Sequence, residues 1–215
     1  MSPLLLAIDT THESGSLALL RGMDTVEEFP LRAPDGFAHV LYEHLRSLLD
    51  RNSVALEDIE CFAAASGPGS FTGVRIGLAC VKGLSEALGR PAVAISNLEA
   101  LASFGTAALR AALLDARRGE IYGAAYDAEL RVVVPEVVTS LPAFLGMLPG
   151  GEIEFISPDA IALPEDARRV TAPASIAASV GRLAMARFLR GEARDPAALD
   201  ANYVRRSDAE LFWKD

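Results

Sequence analysis

The chain has 215 residues, 51% of them hydrophobic, and a formal net charge of −9. This length and apolar fraction suit one large or two small packed domains and exclude a disordered chain. The acidic balance argues against independent nucleic-acid binding, which needs clustered Lys and Arg to neutralise phosphates, but it is compatible with a basic partner.

In chain order, Leu4-Leu5-Leu6-Ala7-Ile8 reads as a buried strand ending at Asp9. Thr10 to Gly15 is polar, and Ser16 to Leu20 is apolar again, which predicts a hairpin, with a third strand at Val26 to Phe29. Asp35 is the expected cap of a helix from about Phe37 to Asp50, with Phe37, Leu41, Leu45 and Leu48 as its apolar stripe. A buried strand at 59–65 follows, then the glycine-rich turn Ser66-Gly67-Pro68-Gly69-Ser70-Phe71-Thr72 and a helix from Val74 to Leu88. Ser70 or Thr72 would cap that helix. A turn of this kind either aims backbone N–H groups at an anion or simply joins strand to helix. No Gly-Lys-Ser/Thr follows, and the dinucleotide spacing is absent.

Gly73, Gly77, Cys80, Gly83 and Ala87 give this helix a side of small residues. Glycine in a helix interior costs about 1 kcal/mol relative to alanine, so a close neighbour is expected there. That neighbour is an element of the same chain or a helix of another subunit. Ala92 to Ile95 reads as a strand, and Ser96 with Glu99 as a capping box for a helix through about Phe104.

The opening pattern then returns. Ala111 to Leu114 is a strand ending at Asp115, Ala116 to Glu120 a turn, Ile121 to Tyr126 the return strand, and Leu130 to Val138 a third strand. Pro135 marks that third strand as an edge or a bulge. Strand, Asp, turn, strand, strand thus occurs twice, about a hundred residues apart, which suggests two similar lobes or two unrelated hairpins. A short helix near Pro142 to Met147, a strand at Glu152 to Ser157, and a helix capped by Ser175, reaching Arg190 and ended by Gly191, complete the pattern. The remainder is polar and irregular but carries Tyr203, Phe212 and Trp213.

Asp9 and Asp115 each end a buried strand. Carboxylates facing one another across two lobes can hold a metal–nucleotide phosphate group; alternatively each stabilises its own turn. Thr10, Thr11 and Ser14 add hydroxyls near Asp9, and Arg117 and Arg118 add positive charge near Asp115. His39 and His44 are five apart, about 140° around a helix, so they do not form a zinc-binding pair. No nucleophile elbow occurs. Cys61 and Cys80 are the only cysteines, both in apolar surroundings, which predicts buried thiols in a reducing cytosol. Leu4 to Ile8 is too short for a signal core, and no apolar run approaches the length of a membrane span.

Three stretches together carry a family resemblance: Leu6-Ala7-Ile8-Asp9-Thr10-Thr11; Ser66 through Gly77; and Leu114-Asp115-Ala116-Arg117-Arg118-Gly119-Glu120-Ile121-Tyr122. They resemble the TsaB (YeaZ) family over the first 127 residues, with an echo at Tyr203-Val204-Arg205. The resemblance implies an α/β chain of actin-like (ribonuclease H-like) fold, with two related lobes, each a central mixed sheet flanked by helices. The lobes are expected at 1–105 and 106–215, with the last helix and tail packing back on the first.

It further implies a non-catalytic, cytoplasmic subunit that pairs with the paralogue TsaD, joined by the ATPase TsaE, for threonylcarbamoyladenosine modification of tRNA. The tRNA would be met only through that complex, and the isolated chain would form a homodimer. Rival readings are a metal-dependent glycoprotease-like peptidase and a vestigial small-molecule kinase. Family pairing uses the first-lobe helices, which here makes His39, Tyr42, Gly73, Arg75, Ile76, Gly77 and Cys80 the expected interface. Asp9, Thr10, Thr11, Gly67, Gly69, Ser70, Asp115 and Arg117 are the candidate nucleotide or phosphate cleft. No metal site and no required cofactor are expected, with weak ATP or ADP and Mg at most. Many relatives carry a Gly-Asp-Gly type turn where this chain has Ser157-Pro158-Asp159-Ala160, a difference that argues against a nucleotide base in the second lobe.

Overall fold

The computed structural model describes residues 2–33 and 36–205. Asp35, the expected helix cap, and Phe212 and Trp213 of the tail lie outside the described residues. The chain divides into two compact units, residues up to 100 with 173–201, and residues 101–172 with the segment from 202 onward. The division therefore falls a few residues before the expected 105/106 boundary. The last helix joins the first unit, and Asn202–Arg205 join the second.

In the first unit, β1 (Leu4–Asp9), β2 (Ser14–Arg21), β3 (Asp24–Arg32), β4 (Cys61–Ala65) and β5 (Ala92–Ile95) form one sheet in the order β3-β2-β1-β4-β5. β1 pairs antiparallel with β2 and parallel with β4. All six residues of β1 and all five of β4 are buried, as a central strand covered on both faces requires. On one face lie α1 (Leu41–Arg51) and α2 (Phe71–Leu88), whose Leu45, Leu48, Val74, Leu78 and Val81 pack with Leu6, Ile8, Leu17 and Phe62. On the other lies α5 (Ala177–Leu189), which approaches closely because Gly181 has no side chain. A Cβ there would stand 2.2 Å from Leu20 Cδ1.

The second unit repeats the plan. β6 (Leu109–Asp115), β7 (Glu120–Asp127), β8 (Val132–Ser140), β9 (Ile153–Ser157) and β10 (Arg168–Thr171) lie in the order β10-β9-β6-β7-β8. Read from β8, this is the first sheet strand for strand, with the same antiparallel and parallel pairings. The repeat seen in the sequence is thus a repeat of topology. β8 with Pro135 is an edge strand whose register against β7 is irregular. The short helix α4 (Leu141–Leu145) seats Phe144 over β7, where Gly123 leaves room for its ring.

Several expectations need correction. The helix expected from Phe37 begins as a 3-10 turn at Phe37–His39, because the Val40 N–H bonds Phe37 O three residues back; α1 proper starts at Leu41. Ser175 does not cap α5. The buried first turn of α5 is satisfied from elsewhere in the unit: the Ala177 N–H donates to Ser16 Oγ at 3.0 Å and the Ala178 N–H to Glu28 Oε1 at 3.0 Å. An acidic side chain at a helix N-terminus also complements the helix dipole. β10 has no sequence signal, since Arg168-Arg169-Val170-Thr171 is mostly exposed and does not alternate. The stretch after Gly191 is not wholly irregular: Arg194 pairs with Ala92 in both directions along the free side of β5, and Leu199 enters the core.

Candidate functional site

The end of β1 is built by backbone chemistry. Asp9 Oδ1 accepts from the Thr11 N–H at 2.9 Å and from the Thr11 hydroxyl at 2.6 Å, an Asx turn closed by a second bond. The glycine-rich turn lies directly on it. The Ser70 N–H donates to Thr11 O at 2.7 Å, and the Thr10 hydroxyl donates to Gly73 O at 2.7 Å. Asn97, at the start of α3 (Asn97–Ala102), completes the lock. It accepts the Gly67 N–H at 3.1 Å, donates its own N–H to Gly67 O at 2.8 Å, and its side-chain amide donates to Thr11 Oγ1. Ser70 caps α2 through the Gly73 N–H.

The glycines follow from this contact. A Cβ on Gly69 would lie 2.5 Å from Thr11 O, one on Gly73 1.9 Å from Thr10 O, and one on Gly77 2.7 Å from Thr10 Oγ1. Gly83, farther along α2, meets nothing. The small-residue side of α2 is therefore needed by the chain's own β1 turn at its N-terminal half, where Gly73 and Gly77 are buried.

The residues expected to line a phosphate cleft at this end differ in exposure. Asp9, Thr10 and Thr11 are each 1% exposed, and the Thr10 and Thr11 hydroxyls and the Thr11 and Ser70 N–H groups bond within the turn. Burial, the largest influence, pushes the Asp9 carboxyl above the usual carboxylate range, against the pull of the Thr11 hydrogen bonds. Gly67 is buried with them, Gly69 is half-buried and Ser70 is exposed.

Asp115 and Arg117 occupy the matching place in the second unit, at the end of β6. Asp115 Oδ1 accepts the Arg117 N–H at 2.8 Å, the same Asx turn, and the Asp115 N–H donates to Asp159 Oδ2 at 2.8 Å. Arg117 and Arg118 both have left-handed φ, 64° and 56°. Here Asp115 is exposed. Among the described residues, no three His, Cys, Asp or Glu side chains converge as metal ligands, and no helix is long and apolar enough to cross a membrane.

The remaining predicted residues lie on α1 and α2. Tyr42 is 60% exposed and Phe71 42% exposed, and the Arg75 guanidinium stacks 3.8 Å over the Phe71 ring. His39 and Arg75 are exposed and Ile76 is half-buried. Cys80 is buried near Tyr42; burial pushes the thiol up to about 11, so it stays protonated and inert. Cys80 thus supports the face rather than presenting itself on it. His44 stacks against Phe29 at 5.3 Å, a packing role.

Comparison with known proteins decides the family. The family described as TsaD, tRNA N6-adenosine threonylcarbamoyltransferase, matches residues 29–188. The tRNA threonylcarbamoyladenosine biosynthesis protein TsaB of Bacillus subtilis is 36% identical over 149 residues, 67% of this chain, and its Escherichia coli counterpart 35% over 127 residues, 57% of this chain. This chain belongs to the TsaB (YeaZ) family.

The chain spans 65% and 54% of these two relatives' own length. A solved Pseudomonas aeruginosa structure, of a protein described as similar to the peptidase YeaZ, superimposes with a TM-score of 0.79 at 27% identity, covering 94% of this chain and all of that one. The two matching sheets are those of the actin-like fold. Within this TsaB-family chain, Asn97, Glu28, Phe71 and Asp159 take structural or surface roles that sequence reasoning did not assign. Asn97 had the one usable signal, a polar residue directly after the cap position Ser96.

Proposed function

We propose that this chain is a non-catalytic pairing subunit of a tRNA threonylcarbamoyladenosine-forming assembly, and that it binds a TsaD protein through the exposed face of α1 and α2. One observation carries the reading. Two large aromatic side chains, Tyr42 and Phe71, stand exposed beside an arginine stacked on one of them, a composition typical of the centre of a protein–protein interface. The β1 turn, which a catalytic reading would use, is closed by its own hydrogen bonds. His39 and Ile76 extend the face, while Gly73, Gly77 and Cys80 act beneath it.

TsaE joins the pair, and tRNA is met through the assembly rather than by this acidic chain alone. Without TsaD, the same face pairs two copies of the chain. The protein works in the cytoplasm and needs no cofactor of its own. The test is sedimentation of the chain with a bacterial TsaD. Tyr42→Ala and Phe71→Ala should each weaken pairing by about 2 kcal/mol, roughly thirtyfold in Kd, without loss of fold. Unchanged pairing in both variants would refute the assigned face, and casein cleavage by the chain alone would refute the non-catalytic reading.

A further inference from the structure

The segment Asn202–Arg205 belongs to the second unit, and the proposed pairing face makes no use of it. Its contacts converge on one feature. Arg205 Nη1 donates to Ala116 O at 2.9 Å, Arg205 Nη2 pairs with the Glu120 carboxylate, and the guanidinium stands 5.7 Å from the Tyr122 ring centre. One planar group therefore grips both ends of the β6–β7 turn. Asn202 fixes the approach from the other side, its side-chain amide on Glu136, which also accepts from the Tyr126 hydroxyl.

The gripped turn needs holding. Its two closing bonds are Ala116 N–H to Glu120 O at 3.0 Å and Glu120 N–H to Arg117 O at 3.1 Å. Between them Arg117 and Arg118 sit at left-handed φ, which side-chain-bearing residues adopt only when their surroundings impose it. In the first unit the equivalent turn is imposed by the glycine-rich turn and Asn97. In the second, Asp159 bonds the Asp115 N–H, and the Ala116–Glu120 span is held by Arg205.

We propose that Arg205 is a positioning residue: from the C-terminal segment it fixes the β6–β7 turn and, through that turn, the placement of Asp115 and Arg117. A planar fork can bond a carbonyl and a carboxylate at once, which a lysine ammonium on a flexible stem does poorly. The contacts are polar and half-exposed, with Arg205 22% and Glu120 43% exposed in their side chains, so the segment opens more easily than the sheet it rests on. Anything that takes hold of residues 202–205 would then change how the turn presents Asp115 and Arg117.

Amide hydrogen exchange of the full chain tests this independently of any TsaD pairing. In Arg205→Ala, the amides of Arg117 and Glu120 should exchange at least ~10-fold faster, while those of β6, β9 and β1 keep their rates. Arg205→Lys should fall between, and Glu120→Gln, which leaves Arg205 in place, should reproduce part of the effect if Arg205→Ala folds poorly. Wild-type exchange in the turn, or equal acceleration throughout the second unit, would overturn the proposal. The second result would make Arg205 an ordinary stabilising contact.

Discussion

In both units the first strand ends on an aspartate whose Oδ1 accepts the amide two residues on, Thr11 after Asp9 and Arg117 after Asp115. The surroundings then part. After Asp9, Thr10 and Thr11 are buried under the start of α2 while His12 and Glu13 stay exposed, with Gly69 and Gly73 making room and Asn97 tying the layers together. After Asp115 the turn is exposed, bonded by Asp159 and, from the C-terminal segment, by Arg205. The same motif is therefore core in one unit and surface in the other, and an aspartate at a strand end is not by itself evidence of chemistry. What matters is whether the carboxylate is covered and engaged; Asp9 is 1% exposed and its Oδ1 already accepts two bonds from Thr11.

Substitutions break this comparison most sharply at Gly73. A methyl group there would force the Thr10 carbonyl to move, so Gly73→Ala should cost about 3 kcal/mol or more in chemical denaturation. Gly83→Ala, on the same helix but facing open space, should instead add up to about 1 kcal/mol. Equal effects at the two glycines would contradict the close approach. Asn97→Ala should cost about 2–3 kcal/mol, because it removes the acceptor of the buried Gly67 N–H and the bond that Thr11 Oγ1 accepts. No single substitution in the Asp115 turn should match either loss.

The carboxylates separate by pH. Asp9 is raised chiefly by burial, so its ionised form opposes folding at neutral pH, and that cost disappears as pH falls through its folded pKa towards the ordinary value near ~3.9. Asp9→Asn keeps an acceptor for Thr11 and removes the charge. It should raise the melting temperature at neutral pH and remove this gain on acidification, whereas Asp9→Ala should lower it.

In the second unit Glu154 runs the other way. Burial alone would raise it, but the Thr106 and Ala107 amides and Arg168 outweigh burial and lower it. Its contribution is full above the ordinary glutamate value near ~4.3 and is lost as pH falls through its folded pKa, so Glu154→Gln should be least harmful in acid. Melting curves from about pH 3 to 8 would show the two slopes with opposite sign. The smallest effect is expected at Asp115→Asn, within about 0.5 kcal/mol of wild type, since an exposed Asn supports the same turn.

Much of this was legible in the sequence. Leu4 to Asp9, the hairpin, the glycine-rich turn and the recurrence at Asp115 all have strong local signals, and the repeated strand order follows from them. Long-range partners were not legible. Ser16 and Glu28 satisfy the start of α5 from more than 140 residues away, so no local cap such as Ser175 is needed. The glycines of α2 announced a close neighbour, but spacing along one helix cannot say whether that neighbour is β1 or another chain. Phe71, the first residue of α2, is 42% exposed, and nothing local in the sequence marks it as a surface aromatic.

Reconstituted tRNA threonylcarbamoylation, run with a bacterial TsaD and TsaE and with this chain as Asp9→Asn or as the Tyr42→Ala, Phe71→Ala double variant, tests the account most directly. The first variant should support modification as well as wild type, and the second, though folded, should support little. Loss of modification in folded Asp9→Asn with full activity in the double variant would place the function in the β1 turn and contradict it.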